Sequence, residues 1–221
     1  MAAKPKLYDF EVRNRCSGEV QFTAKIEADP SVPLGVRLGL AIKWALGSRA
    51  YLSGGYLSRA DLSGAYLSRA DLSGADLSGA NLSRAYLSGA YLSRADLSGA
   101  DLSGANLSRA YLSGAYLSRA DLSGAYLSRA YLCGEEIARV ICRLHREIDP
   151  YPFIALEVAT GGVKIAAGCR WFTVAEFRDH VEDAYPDTDK ARETLDILAF
   201  VETRAAALGV ALEPAVTSEA A

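Results

Sequence analysis

Two histidines, four cysteines and repeated serines and aspartates are the side chains of this sequence with types suited to chemistry. His145 and His180 each sit in a polar stretch of helical pattern, with no Ser, Cys or Asp at the spacing a nucleophile and base would need. Both are expected to be surface imidazoles. Cys16, Cys133, Cys142 and Cys169 form no Cys-x-x-Cys pair and have no neighbouring His-x-x-x-His, so a metal site is not expected. They read as reduced, mostly buried thiols. The glycines never precede a Lys-Ser or Lys-Thr pair, which excludes a phosphate-cradling loop. No catalytic residue, no cofactor and no metal is expected, and the chain does not read as an enzyme.

The serines recur at one fixed place with no general base beside them, which suits small polar corner residues better than nucleophiles. Asp61, Asp71, Asp76, Asp96, Asp101 and Asp121 are spread along the same stretch and balanced by Arg59, Arg69, Arg84, Arg94, Arg109, Arg119 and Arg129. That pattern describes a solvated surface.

The element that positions these side chains follows from the period. Residues 50–134 read Ala-(Asp/Asn/Tyr)-Leu-Ser-(Gly/Arg) seventeen times, with Gly55 once for Ala and Cys133 once for Ser. A Leu at every fifth position fits neither the 3.6-residue period of a helix nor the two-residue period of a flat strand. If each block forms one side of a square coil, Leu and the Ala two places before it point inward, and twenty residues close a turn. Coils stacked at about 4.8 Å make four and a quarter turns and a shaft of roughly 20 Å. The small Ala leaves room for four Leu side chains at interior packing density, and Gly and Ser near the corners suit tight turns.

This repeat resembles the pentapeptide-repeat family, with its pattern Ala-(Asp/Asn)-Leu-x-x. The resemblance implies a right-handed quadrilateral parallel β-helix, here of about four coils, and a structural or binding scaffold. Outward Tyr stands at many positions where the family usually has Asp or Asn. Some members of the family resemble duplex DNA and bind type II topoisomerases, which makes DNA gyrase the alternative partner. A DNA mimic needs dense negative charge, and seven Arg against six Asp do not supply it.

Taking the twenty-residue turn literally, Tyr91, Tyr111 and Tyr131 fall in one vertical column, and Tyr66 and Tyr86 in another. Stacked rings would contribute about 0.5–1.5 kcal/mol per pair. The same columns form a candidate interaction surface for a homodimer, since exposed aromatics are enriched at interfaces.

An open array exposes its interior and strand edges, so α/β elements are expected to cap both ends. Phe10 and Val12, then Val20, Phe22, Ala24 and Ile26, alternate around Ser17-Gly18 as a hairpin. A helix follows Pro33 to Leu46, with Leu34, Leu38, Ala41 and Ala45 on one stripe. Beyond Gly134, the stretch from Glu135 through Leu144 fits either a helix or a further irregular coil. Tyr151 to Val158 and Val163 to Ala167 form a second hairpin about Gly161-Gly162. Thr173-Val-Ala-Glu176 is a capping box opening a helix to about Ala184. A longer helix runs from about Thr188 to Leu208, with Leu195, Leu198, Val201, Ala205 and Leu208 as its buried stripe. Ala167-Gly-Cys-Arg-Trp-Phe-Thr173 and Tyr185-Pro-Asp187 are similar to the C-terminal regions of bacterial and phage members of the family. The expected division is 1–49, 50–134 and 135–221.

The formal charge of −3 is uneven, with the excess of acid in the last segment, so the repeat surface is nearly neutral and direct nucleic-acid binding is not expected. The N-terminus lacks the apolar core of a secretory signal, and Arg37 and Lys43 interrupt the most apolar stretch. A cytoplasmic protein with no membrane contact is the expectation. Residues 70–94 and 95–119 are identical. A duplication of twenty-five residues in a coil of twenty reads as idealised or engineered repeats between natural flanks, with recent natural duplication as the rival.

Overall fold

The computed structural model describes residues 6–29, 31–48, 50–132, 134–145, 152–167 and 170–213. The chain divides into two compact units, Met1–Ala130 and Tyr131–Ala221. It is mainly β, and the repeats form a β-helix. Among the described residues no helix is long and apolar enough to cross a membrane.

In the first unit, strands β1 (Lys6–Arg13) and β2 (Val20–Ala28) pair antiparallel from Lys6↔Ala28 to Arg13↔Val20, with a bulge after Val12. Val12, Ala24, Ile26 and Ala28 face inward, as alternation requires. Helix α1 (Leu34–Ser48) buries Leu38, Gly39, Ala41, Ile42 and Ala45. Leu34, expected on that stripe, is 61% exposed. It is the first helical residue, a turn short of where the buried face begins.

The repeats then pair residue by residue at a separation of twenty, as in the parallel bridges Asp61↔Asn81, Asn81↔Asp101 and Asp101↔Asp121. Four pentapeptides therefore make one turn. Every Leu from Leu52 to Leu127 is buried, and most of the repeat Ala with them, Ala70 and Ala115 being half-buried. Outward residues lie between an inward Ala and an inward Leu, so the column position always faces away from the core.

Hairpin and helix both meet the first coil. The Tyr56 N–H donates to Arg13 O and the Arg15 N–H to Gly54 O, each at 2.8 Å. On α1, Gly35 and Gly39 lie against coil backbone. A Cβ at Gly35 would stand 2.2 Å from Arg59 O, and one at Gly39 2.0 Å from Asp61 O. Only a residue without Cβ lets the helix come this close.

The second unit contains β3 (Tyr131–Leu132), β4 (Glu135–His145), β5 (Pro152–Val158), β6 (Val163–Ala167) and β7 (Arg170–Thr173), joined in that order into one antiparallel sheet. The stretch from Glu135, open between helix and coil in the sequence, is strand. Pairing with β5 along most of its length decides it, and two irregularities near Arg139 and Ile141 explain its imperfect alternation. Helices α2 (Val174–Ala184) and α3 (Asp189–Ala207) pack Val174, Phe177, Val181, Leu198, Val201 and Ala205 with Phe153, Val163 and Ile165 of the sheet. Leu195 and Leu208 sit partly buried at the margin of this core. Tyr151, the expected start of β5, lies outside the described residues.

The first unit thus holds residues 1–49 together with the repeats as far as Ala130. In the second unit Tyr131 pairs with Glu136 and Leu132 with Glu135.

Candidate functional site

The outward surface of the repeats is built from the turn upward. In each block the Ala N–H donates to the preceding Leu O at about 3 Å, as in Ala80 to Leu77 and Ala105 to Leu102. The residue two after Leu has positive φ. It is Gly in most blocks and Arg in seven, with Arg59, Arg69, Arg84, Arg94, Arg109, Arg119 and Arg129 all at φ 56–61°. A positive φ at the third turn position and none at the second is the type II pattern.

Backbone pairing satisfies most of the rest. Leu N–H and Gly or Arg N–H donate one coil onward, as in Leu82 to Asp101 O and Gly79 to Ser98 O, and the column residue donates one coil back, as in Asn81 to Ala60 O. The Ser N–H has no such backbone acceptor among the described bonds. Where the column residue is Asp or Asn, its Oδ1 accepts that N–H: Ser78 from Asp76 at 3.0 Å, Ser83 from Asn81 at 3.1 Å, Ser103 from Asp101 at 2.9 Å and Ser123 from Asp121 at 2.8 Å. All eight Asp and Asn column residues make this contact. It is an Asx turn, which Tyr cannot make. The Asp residues are therefore more than a solvated face, because each ties one carboxylate oxygen to the backbone.

The Tyr columns have the geometry the twenty-residue turn dictates. Tyr66 stacks on Tyr86 with ring centroids 4.8 Å apart and planes within 5°, and Tyr91 on Tyr111 at 5.0 Å and 4°. All four remain exposed. Tyr131 opens β3 in the second unit, where its phenol donates to Glu136 Oε2 at 3.0 Å. Sequence reasoning missed Tyr51, Tyr56, Tyr116 and Tyr126, each more than half exposed. Counting every column in steps of twenty, rather than looking for adjacent Tyr pairs, finds them.

Among the described residues the candidates for chemistry stay apart. His180 is half-buried rather than a free surface imidazole: it stacks on Phe172 at 5.3 Å, meets Tyr185 edge-on, and its Nε2 accepts from Arg170 at 3.1 Å. Helix α2 faces β7, which brings these rings together, a tertiary contact absent from local sequence. The side chain of His145 lies outside the described residues, as do Cys133 and Cys169. Cys16 is exposed, contrary to expectation, because it occupies the β1–β2 turn. Burial pushes the half-buried Cys142 thiol up, against a smaller opposing effect of Arg204. No group of three metal-ligating side chains occurs among the described residues. An open groove of about 620 Å³ between β1, α1 and the first coil is lined by Phe10, Val12, Leu34, Tyr56 and Arg59. Its Arg13 pairs with Glu11 at 2.6 Å, and Ser58 and Ser78 also line it.

The pentapeptide-repeats family model matches residues 48–84, 80–119 and 110–134, in eight copies. The chain belongs to the pentapeptide-repeat family. Rfr23 of the cyanobacterium Cyanothece 51142 is 38% identical over 38% of this chain and 61% of its own, with a TM-score of 0.29. HetL of Nostoc sp. strain PCC 7120, described as involved in heterocyst differentiation regulation, is 45% identical over 34% of this chain and 37% of its own, with a TM-score of 0.24. A further pentapeptide repeat protein from Nostoc PCC 7120 is 39% identical over 42% of this chain and 78% of its own, with a TM-score of 0.29. The chain thus spans less than two thirds of the first two relatives. No curated relative matches it.

Proposed function

We propose that this pentapeptide-repeat protein is a non-enzymatic structural scaffold, a right-handed quadrilateral β-helix of about four coils with α/β caps at both ends, which self-associates through its exposed Tyr columns. The observation that carries the reading is the pair of stacked, exposed ladders Tyr66–Tyr86 and Tyr91–Tyr111. Stacking holds each ring in place before a partner arrives, which lowers the ordering cost of an interface. The scaffold reading extends to a three-part division at residues 49 and 134, to idealised or engineered repeats, on the strength of the duplicated twenty-five residues, and to a cytoplasmic location.

Light scattering across a concentration series tests it. Mass should rise above that of one chain with concentration, and Tyr66→Ser with Tyr91→Ser should lower it; a single-chain mass at every concentration contradicts self-association. The DNA-mimic alternative, with DNA gyrase as partner, draws on the column Asp61, Asn81, Asp101 and Asp121. Arg at the turn corners works against it. Stoichiometric inhibition of gyrase supercoiling by the purified protein would favour that alternative.

A further inference from the structure

In a turn of twenty residues, column residues ten apart lie on opposite walls. One wall carries Tyr51, Asp71, Tyr91 and Tyr111, and the wall half a turn away carries Asp61, Asn81, Asp101 and Asp121. Row by row the two are complementary. Tyr51 is level with Asp61, Tyr91 with Asp101 and Tyr111 with Asp121; the one row where the first wall has a carboxylate, Asp71, is level with the amide Asn81.

We infer that the Tyr wall of one copy docks on the Asp wall of a second copy of this chain, with shafts parallel and coils level. The inference rests on the self-association proposed above and specifies its geometry. Each Asp of the second wall gives Oδ1 to its own turn, at 3.3 Å for Ser63 to Asp61 and 2.9 Å for Ser103 to Asp101. The other carboxylate oxygen accepts a phenol O–H, a charge-assisted bond. Asn81 gives one N–H to Asp61 at 3.4 Å and has a second to offer Asp71 of the neighbouring copy. Both walls repeat at the same coil spacing, so one aligned row aligns all four.

With the shafts parallel but slid by one coil, or reversed with all four rows engaged, these two walls fail at Asp71. Sliding one copy by a coil sets Asp71 against Asp61 or Asp101, and reversing one shaft sets it against Asp101, carboxylate on carboxylate. Docking Tyr wall on Tyr wall by a two-fold axis leaves Tyr51 facing Tyr111 and the Asp wall unused. The level arrangement is head-to-tail sideways: each added copy leaves a new Tyr wall and a new Asp wall open, so copies accumulate in rows.

Asn81→Asp tests this in the full chain. Asp already caps the same turn at six other repeats, so the coil keeps its turn bond, and a melt shows whether the fold is retained. The substitution puts a carboxylate opposite Asp71 of the neighbour and should raise the concentration needed for association about tenfold or more. Asp71→Asn added to Asn81→Asp should restore it, although the two residues sit on opposite walls of one chain and meet only between chains. Association that is unchanged by Asn81→Asp, or not restored by the double substitution, overturns this interface while leaving self-association standing. A wild-type chain that stays a single chain throughout removes both.

Discussion

Leu102 lies midway along the shaft with no exposed surface, ringed by the other inward Leu and Ala. Leu102→Ala should cost about 2–5 kcal/mol through lost burial and a cavity, read from a denaturant melt; a loss too small to measure would contradict an inward-Leu core. The inward residues were legible because their period admits one arrangement. The corner Arg residues were less so, since an exposed Arg reads as surface charge, and the signal was that the fifth position accepts only Gly or Arg. At Arg84 φ is 56°, a region that a β-branched residue adopts only under strain. Arg84→Val should therefore lower stability by about 1 kcal/mol or more, while Arg84→Asn, which tolerates this conformation and removes the same charge, should leave it near wild type. Equal melts for the two would show that backbone conformation is not what the corner constrains.

Helix α1 carries its own control. Gly39→Ala and Gly47→Ala are the same change in one helix, and in an unobstructed helix each would stabilise by roughly 0.5–1 kcal/mol. Nothing lies within 4 Å of a Cβ at Gly47, whereas one at Gly39 would meet the Asp61 carbonyl. The melting temperature should rise for Gly47→Ala and fall for Gly39→Ala; a rise for both would place the helix off the coil. Its amphipathic pattern was visible in the sequence, but not that glycines would meet the repeats, because that contact belongs to the tertiary structure. In α2 the capping box was legible outright. Glu176 accepts the Thr173 N–H at 2.7 Å, and that bond, with a smaller contribution from the Thr173 hydroxyl, holds its carboxyl below the usual glutamate range. A folded-state value below the unfolded one contributes stability that is fully present above the ordinary range and fades as pH falls through the depressed value. A carboxyl NMR titration should give Glu176 a lower midpoint than an exposed Glu, and Thr173→Ala should move that midpoint up and cost about 1 kcal/mol.

At the scale of the whole molecule, the duplication of twenty-five residues and the coil of twenty are compatible. Twenty-five is five blocks, so every Leu and Ala stays inward, and the outward pattern turns by one side for each copy of the duplicated unit. Tyr, Asp and Asn are thereby dealt among four columns, which is why two Tyr ladders were evident in the sequence and the opposed walls were not. The fold of the repeats depends above all on the twenty-residue turn, and paired cysteines measure it directly. With the four native cysteines replaced, Tyr91→Cys with Tyr111→Cys joins residues that are bridged in parallel, near one strand spacing of about 4.8 Å and inside the roughly 7 Å a disulfide allows. Tyr86→Cys with Tyr111→Cys spans the duplication instead. The first pair should oxidise readily within one chain and the second should stay reduced; closure of the second with the first left reduced would contradict the twenty-residue coil.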